Sequence, residues 1–359
     1  MFEKHIENLK RLTKQLGRPA RFMEVCGTHT MAAFRSGLRS LLPDGLSLLS
    51  GPGCPVCVTP DSYMDMAVAI AQQPNVLVTT FGDMLRVPGT ESSLEKAKAG
   101  GSQVRIVYSP LDALQEAQKD PNRRVVFLGV GFETTAPTIG WTIKAAAEAG
   151  VKNYSVLCAH KTMPYAMAAL LAGGVRVDGF ICPGHVSAVI GAKTYDFICR
   201  DYGIPCVVAG FEAGDMAESM EMLLQQLIDK RAEVEIQYRR TVTREGNTKA
   251  QALLAEVFEE CEVEWRGVGN IPRSGLRIRD KYAAHDADKV FAGLPLPTRK
   301  KHTGCRCGEV LRGVVTPLEC PLFSKRCTPT TPVGACMVSS EGTCAAYFRY
   351  AKTGVHKPT

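Results

Sequence analysis

The amino-acid sequence predicts an α/β protein with two similar parallel-sheet domains and a cleft between them, followed by a smaller cysteine-rich domain. Between about residues 20 and 235, short runs rich in Val, Ile and Phe alternate with helical stretches. Near-continuous apolar strands that alternate with helices are typical of parallel sheets covered on both faces. A weak internal repeat indicates two halves, and a concentration of cysteines near the C-terminus marks the third part.

Eight apolar runs in this region predict strands, because each is short, rich in β-branched or aromatic residues, and bounded by turn residues. Stretches with helical spacing lie between several of them, such as "PDSYMDMAVAIAQQ", "PTIGWTIKAAAEAG" and "DMAESMEMLLQQLIDK". The predicted strands are "RFMEV", "LSLLS", "NVLVTT", "VRIVY", "RVVFLGV", "YSVLC", "DGFIC" and "PCVVAG".

The internal repeat sets the predicted domain boundaries. "GPGCPVCVTPDSYMD" followed by "VTTFGDM" resembles "CPGHVSAVIGAKTYD" followed by "VAGFEAGDM", about 130 residues later. We therefore predict one α/β domain over residues 1–122 and a second over 123–235. Chance similarity between two turns rich in Gly and Pro is the alternative explanation.

The composition changes beyond residue 235. A mixed segment beginning with "VTREGNTKAQ" leads into the Pro-punctuated "AGLPLPTRK", and a cysteine-rich window follows. We predict a third domain over residues 236–359, whose apolar core is too poor to fold without a metal or another covalent or coordinate link.

Composition and charge exclude several functional classes. The chain has 359 residues and a formal charge of +7, with no Lys/Arg run or basic-aromatic interleaving typical of a nucleic-acid groove. No stretch of about 18 apolar residues predicts a membrane span. The opening "MFEKHIENLKRL" has the pattern of a charged amphipathic helix, so we expect no signal peptide and a cytoplasmic protein. No Walker sequence or third dinucleotide-spaced glycine predicts nucleotide binding.

Chemically reactive side chains directly follow the predicted strands. In open α/β sheets, ligands bind beyond the carboxyl ends of the strands, so these side chains are expected to line one cleft between the two halves. Each residue taken alone also fits a helix cap or a turn, but their joint occurrence at several strand ends predicts a site. The residues are Cys26, Thr28, His29, Cys54, Glu133, Thr134, Thr135, His185, Glu212 and Asp215.

Fourteen cysteines are many for a cytoplasmic protein, where stable disulfides are rare. Cys54 and Cys57 in "GPGCPVCVTP" have the spacing of a redox disulfide, half of a metal site, or two core cysteines. Five others lie in apolar or helical contexts and fit buried small hydrophobic residues; they are Cys158, Cys182, Cys199, Cys206 and Cys261.

Six cysteines fall in one C-terminal window of 40 residues: Cys305, Cys307, Cys320, Cys327, Cys336 and Cys344. Structural zinc sites usually pair their ligands two to four residues apart, and this window contains no such pair. Six thiols exceed the four that zinc or a [4Fe-4S] cluster needs. Four cluster ligands plus a redox pair is the economical count, so an iron–sulfur centre is favoured, with zinc as the alternative.

Five motifs, taken together, resemble the HypD family of hydrogenase maturation factors: "CGTHT", "GPGCPVCVTP", "GFETTAP", "PGHVSAVIG" and "CPLFSKRCTPTTPVGACMVSSEGTCAAYF". The resemblance runs from about residue 20 to 350. It implies assembly of the Fe(CN)2CO group of [NiFe]-hydrogenases with a HypC-type chaperone and a HypE-type cyanide-delivering protein. It also implies two α/β domains and a domain with a [4Fe-4S] cluster.

The resemblance further implies roles for individual residues. Cys26 would bind the nascent iron, which suits a soft thiolate because the ion also carries cyanide and carbon monoxide. Thr28 and His29 would donate hydrogen bonds to the cyanide nitrogens. Cys54 and Cys57 would form a redox pair, which we expect to be exposed and to have a lowered pKa, since the thiolate is the attacking species.

In the C-terminal window the family is similar to ferredoxin:thioredoxin reductase. That similarity implies cluster ligation by Cys305, Cys320, Cys327 and Cys344, with Cys307 paired to Cys336. Spacing alone also allows Cys336 as a ligand.

We also expect Glu133 and His185 to face the same cleft and to take part in the ligand chemistry, because His transfers protons near neutral pH and a carboxylate can tune it. A hydrogen-bonded turn is the alternative role for His185.

Three functions remain open on the sequence. The first is an assembly scaffold with thiol-redox activity that works with partner proteins and hands its product to a hydrogenase large subunit. The second is a free-standing [4Fe-4S]-dependent thiol/disulfide reductase. The third is a binding module with structural zinc.

Overall fold

The computed structural model describes residues 2–298 and 304–351 and contains two parallel β-sheets and one antiparallel hairpin. All eight predicted apolar runs are strands. The helices are α1 (Phe2–Leu16), α2 (Gly27–Arg35), α3 (Leu38–Leu41), α4 (Pro55–Val58), α5 (Asp61–Ala71), α6 (Leu94–Ala99), α7 (Pro110–Lys119), α8 (Ala136–Glu148), α9 (Met163–Ala172), α10 (Gly184–Ile190), α11 (Asp196–Tyr202), α12 (Ala213–Ile228), α13 (Thr248–Val257), α14 (Ala287–Val290), α15 (Cys307–Leu311) and α16 (Thr343–Tyr350).

The first sheet has five parallel strands in the order β2-β1-β7-β8-β9. The strands Gly179–Pro183 and Cys206–Ala209 are buried along their whole length because helices cover both faces of the sheet, and α1 packs with α12 on one face. The strands are β1 (Ala20–Glu24), β2 (Leu46–Ser50), β7 (Gly179–Pro183), β8 (Cys206–Ala209) and β9 (Val234–Ile236).

The second sheet has four parallel strands in the order β4-β3-β5-β6. Its central strand β3 is buried at every position, as its uninterrupted "VLVTT" sequence requires. The strands are β3 (Val76–Thr80), β4 (Gln103–Ile106), β5 (Arg124–Gly129) and β6 (Tyr154–Cys158). The α/β prediction with two parallel sheets is therefore confirmed.

The chain passes between the two sheets twice. Strands β1 and β2 begin the first sheet, β3 to β6 build the whole second sheet, and β7 to β9 complete the first. The strand pairing therefore does not follow the predicted boundary at residues 122 and 123, which lies between α7 and β5 beside one continuous sheet. The two repeated motifs instead follow β2 and β7, which flank β1 in the first sheet.

The remaining segment contacts both sheets. It contains the hairpin β10 (Phe258–Trp265) and β11 (Gly269–Ile278), and Phe258 and Ile278 pack in the core of the second sheet. Within the described ranges, no helix is both long and apolar enough to cross a membrane.

A buried arginine fastens the hairpin turn to the segment after β2. Arg266 forms an ion pair with Asp61, its Nε donates to the Thr59 carbonyl (2.7 Å), and its backbone N–H donates to the Val58 carbonyl (2.9 Å). A buried ion pair with additional backbone hydrogen bonds fixes the position of both partners. The turn is thus held against α4.

Candidate functional site

A cleft of about 510 Å³ lies between the carboxyl ends of the two sheets. The loops after β1, β2 and β7 contribute one wall, and the loops after β3 and β5 contribute the other. This is the edge at which α/β sheets bind ligands. Its polar and reactive lining residues are Cys26, Thr28, Asp83, Thr134, Thr135, His185 and Glu341.

Cys26 lies at the end of β1 and forms the N-cap of α2. Burial raises the pKa of its thiol to about 12, while the backbone N–H groups of His29 and Thr28 at the helix start oppose that shift. The thiol is therefore protonated near neutral pH. A metal ion that bound to its sulfur would displace the proton, and the nearby N–H groups would support the resulting thiolate.

The Cys26 loop contacts the loop after β2 directly. The Gly27 N–H donates to the Gly53 carbonyl (2.9 Å), and a β-carbon at Gly53 would lie only 2.2 Å from the Cys26 nitrogen. Only glycine permits this approach of two backbones. The sequence "GPGC" therefore places Cys54, the next residue, beside the Cys26 loop.

Cys54 and Cys57 form a disulfide across the short helix α4. Cys54 is the N-cap of this helix, and the Cys57 N–H donates to the Cys54 sulfur (3.3 Å). The pair is buried, with exposed fractions of 3% and 0%. The expectation of an exposed pair is wrong, because the hairpin and the C-terminal segment pack over α4.

The two polar neighbours of Cys26 differ in position. Thr28 lines the cleft, and its hydroxyl donates to the Glu341 carboxylate (2.8 Å). The His29 ring is buried behind the loop, where Nε2 contacts the Gly210 carbonyl (2.9 Å) and the ring stacks on Phe211. Burial lowers the pKa of His29 to about 4, so the ring is neutral. The backbone N–H of His29, and not its imidazole, is therefore the group that hydrogen-bonds the Cys26 sulfur and opposes the rise in its pKa.

His185 and Glu133 do not face the same cavity. His185 lines the cleft and stacks on Phe211, with ring centroids 3.9 Å apart, and partial burial lowers its pKa. Glu133 turns away from the cleft into a second cavity beyond α9. The prediction that both act at one site is wrong, because consecutive residues after β5 point to opposite sides: Thr134 and Thr135 line the cleft instead.

Glu341 is a cleft residue for which the sequence analysis proposed no role. It precedes α16 and reaches the start of α2, where a β-carbon on Gly27 would lie 2.6 Å from the Glu341 β-carbon. Its only signal in the sequence is its place in "SSEGTCAAYF", three residues before Cys344, the last cysteine of the window. Through Glu341, the C-terminal segment contributes to the lining of the cleft.

The C-terminal cysteines gather beside the disulfide. The Cys336 and Cys344 sulfurs are 3.0 Å apart, and a hydrogen bond with Cys307 raises the pKa of the Cys305 thiol. Around Gly334, a β-carbon would lie within 3.8 Å of atoms of Cys305, Cys307 and Cys336. All six cysteines of the window are free thiols here, including the predicted pair Cys307 and Cys336.

The arrangement of these thiols is not that of a formed metal centre. Among residues 2–298 and 304–351, no three His, Cys, Asp or Glu side chains are placed to hold a metal ion together. The donor set nevertheless consists of sulfur atoms alone, which is the set that iron–sulfur clusters use. Cys327, Cys336 and Cys344 share one apolar cluster with Cys54 and Cys57, so the two sulfur sites lie in one continuous core.

The chain is similar to known proteins along nearly its whole length. Residues 1–351 match the family model described as HypD, hydrogenase formation hypA family. The chain is 49% identical over 355 residues to the hydrogenase maturation factor HypD of Rhodobacter capsulatus, which covers 96% of this chain and 94% of that protein. It is 47% identical over 351 residues to the hydrogenase maturation factor HypD of Escherichia coli K12, with coverages of 96% and 94%.

Proposed function

This chain belongs to the HypD family of hydrogenase maturation factors, and from this membership we propose that it is a redox-active scaffold on which iron acquires its cyanide and carbon monoxide ligands. Cys26 binds the iron, which is the cargo of the reaction. A HypC-type chaperone supplies a second thiolate, and a HypE-type protein delivers the cyanide. The finished Fe(CN)2CO group then passes to the hydrogenase large subunit.

The observation that carries this proposal is the position of Cys26 on the wall of the cleft, in backbone contact with the loop of the Cys54–Cys57 disulfide. A thiol at this place can hold a metal while a redox-active pair lies beside it. The cleft volume of about 510 Å³ leaves room for an iron ion with several diatomic ligands and for part of a partner protein.

The cleft contains groups suited to the ligands of the iron. The His185 ring and the Thr134 hydroxyl line it. The Thr28 and Thr135 hydroxyls also line it but donate to the Glu341 carboxylate and the Phe132 carbonyl, so each would have to turn toward a ligand. Hydrogen-bond donors of this kind stabilise the partial negative charge on cyanide nitrogens. His185 is also exposed at the mouth of the cleft and can exchange protons with solvent.

The disulfide supplies or accepts electrons in this scheme. Opening the Cys54–Cys57 bond consumes two electrons and two protons and yields two thiols, and closing it returns them. Because the pair lies against the C-terminal cysteines and not at the surface, we place its electron source inside the protein.

A [4Fe-4S] cluster in the C-terminal segment fits the sulfur donor set, with Cys305, Cys320, Cys327 and Cys344 as its proposed ligands. Such a centre transfers single electrons. Cys307 and Cys336 then remain as a two-electron store close to α4. The contact between the Cys336 and Cys344 sulfurs would place one member of the store directly beside a cluster ligand. The same contact leaves Cys336 in reach of the cluster as an alternative ligand.

A free-standing thiol/disulfide reductase is the second candidate. The observation in its favour is the direct packing of the C-terminal cysteines on the disulfide helix, which would serve such an enzyme equally well. It differs from the scaffold in needing neither iron at Cys26 nor a partner protein.

The deciding experiment is infrared spectroscopy of the protein purified together with its HypC-type partner. We expect cyanide and carbon monoxide stretching bands in the wild-type complex and their loss in Cys26→Ala. Cys261→Ala, a half-buried cysteine remote from the cleft lining, is the matched control and keeps the bands. Bands that persist in Cys26→Ala, or their absence from the wild-type complex, would contradict the scaffold.

A further inference from the structure

A second cavity, of about 310 Å³, lies apart from the cleft, between α9, α13 and the hairpin. Pro164, Ile190, Leu254, Phe258 and Leu276 provide a largely apolar wall. Cavities of this size and character accommodate small organic ligands when a few polar groups converge in them.

Glu133 is the buried charged group of this cavity. Its side chain lines the cavity but is only 4% exposed. One carboxylate oxygen, Oε1, accepts a hydrogen bond from the Met163 N–H at the start of α9 (3.0 Å). Its other oxygen, Oε2, is buried and has no hydrogen-bond partner among residues 2–298 and 304–351. A buried polar atom left in this state is costly and marks a place where a ligand would be favourable.

Three other polar side chains around the cavity already have hydrogen-bond partners. Thr162 donates to the Arg273 carbonyl, Thr194 donates to the Ile190 carbonyl, and Gln251 donates to the Val189 and Glu245 carbonyls. At the rim, Glu260 pairs with Arg273, and Arg279 contacts Glu259 and two backbone carbonyls. Glu133 is thus the group whose bonding a ligand would complete.

We propose that this cavity binds a small molecule with an apolar body and a primary ammonium head, which the Oε2 atom of Glu133 accepts. The apolar wall takes the body of the ligand. The ammonium group would donate a hydrogen bond to Oε2 and neutralise the charge of the carboxylate. The other oxygen, Oε1, already accepts the Met163 N–H at the positive start of α9. A carboxylate ligand is disfavoured, because the carboxylates of Glu133 and Glu260 in the cavity lining would repel it.

The pH dependence of binding follows from the state of Glu133. Burial raises the pKa of Glu133 to about 7, so the side chain is partly neutral at neutral pH. The titratable and charged groups near it are Tyr195, Tyr165, the Glu260–Arg273 pair and the Glu259–Arg279 pair. An alkyl ammonium group keeps its proton well above this range. The ionised pair is therefore complete only above the pKa of Glu133.

The alternative role for Glu133 is purely structural, as a carboxylate cap on α9. A cap would stabilise the fold but would give no ligand binding. Glu133→Gln separates the two, because glutamine keeps an acceptor oxygen for the Met163 N–H while losing the charge.

The test is calorimetric titration of the purified full chain with phenethylamine and with its neutral isostere 2-phenylethanol. We expect phenethylamine to bind about tenfold more tightly at pH 8 than at pH 6, as the ionised fraction of a group with a pKa near 7 requires. We expect the alcohol to bind more weakly and without this pH dependence.

Three variants sharpen the test. Glu133→Gln should remove the pH dependence and most of the affinity, and Ala255→Trp should block the cavity at its exposed rim. Glu260→Gln removes a carboxylate that raises the pKa of Glu133, so it should shift the pH dependence toward lower pH without abolishing it. Equal binding of amine and alcohol, binding that is independent of pH, or unchanged binding by Glu133→Gln would overturn the proposal. The measurement needs no hydrogenase, partner or metal, so its failure leaves the proposed function untouched.

Discussion

The Thr28 hydroxyl donates a hydrogen bond to the Glu341 carboxylate across the wall of the cleft, at 2.8 Å. Thr28 lies in the first turn of α2, directly after the Cys26 N-cap, and Glu341 belongs to the cysteine-rich segment more than 300 residues later. The bond therefore joins the proposed iron-binding loop to the proposed source of electrons. A substitution at either residue should therefore affect both iron binding at Cys26 and the packing of the cysteine-rich segment.

Gly27→Ala should disturb this contact. The new β-carbon would lie 2.6 Å from the Glu341 β-carbon, so Glu341 has to move. We expect a loss of about 1–3 kcal/mol in the free energy of unfolding, which is typical of overpacking, and a clear fall in hydrogenase maturation. Urea denaturation and a maturation assay measure the two effects. Gly214→Ala, at a helical position with open space around it, is the control and should leave both unchanged.

Arg266→Met should be strongly destabilising. The substitution removes the ion pair with Asp61 and the side-chain hydrogen bonds to the Thr59 and Pro88 carbonyls. Removal of one member of a buried ion pair costs about 3–5 kcal/mol. The double variant Arg266→Met/Asp61→Asn should cost less than the sum of the two single changes when measured by chemical denaturation. Strict additivity would mean that the two side chains are not coupled.

Stability between pH 7 and pH 5 should depend on buried groups that act in opposite directions. Burial lowers the pKa of His29 to about 4 and of His160 to about 3, below that of the unfolded chain, so their contribution is lost as pH falls. Burial raises the pKa of Glu24 and Glu133 to about 7, so the folded state takes up protons first and gains stability as pH falls. The four effects largely offset one another.

Glu133→Gln should change the pH dependence of the free energy of unfolding, because it removes one of these four groups. At pH 8 the variant should be more stable than the wild type, because it no longer buries an ionised carboxylate. The advantage should shrink by about 1.4 kcal/mol per pH unit as pH falls from 7 toward 5. Urea denaturation of both proteins at a series of pH values provides the test. A difference that stays constant with pH would show that Glu133 has an ordinary pKa in the folded protein.

The strands could be predicted from the sequence, but their distribution between sheets could not. Each strand is marked by a local run of apolar residues, whereas the first sheet depends on the pairing of Phe22 with Gly179, which are distant in sequence. Cys26 and His185 lie on the cleft, where their positions directly after strands of that sheet place them, while their roles stay a prediction. Glu133 was misplaced because neighbouring residues of one loop point to different sides. The burial of Cys54 and Cys57 depends on a segment that lies far along the chain.

The burial of the disulfide determines how electrons can reach it. Cys54 and Cys57 are 3% and 0% exposed, and α4 packs directly on the turn Ala335–Met337 that carries Cys336. External reductants have little access to such a bond, because thiol–disulfide exchange requires approach to a sulfur atom. We therefore expect reduction to proceed through the C-terminal cysteines.

The double variant Cys307→Ser/Cys336→Ser tests this path. With a reconstituted cluster and dithionite as the electron source, we expect the wild type to open the Cys54–Cys57 bond, gaining two electrons and two protons per disulfide. The double variant should retain its cluster, seen in iron content and visible absorbance, but keep the disulfide closed, because the two-electron store between them is missing. Alkylation of new thiols followed by mass spectrometry distinguishes the two states, and Cys261→Ser should behave like the wild type. Loss of the cluster in the double variant would instead identify Cys307 or Cys336 as a ligand, and an open disulfide in the presence of an intact cluster would show that electrons reach α4 without the pair.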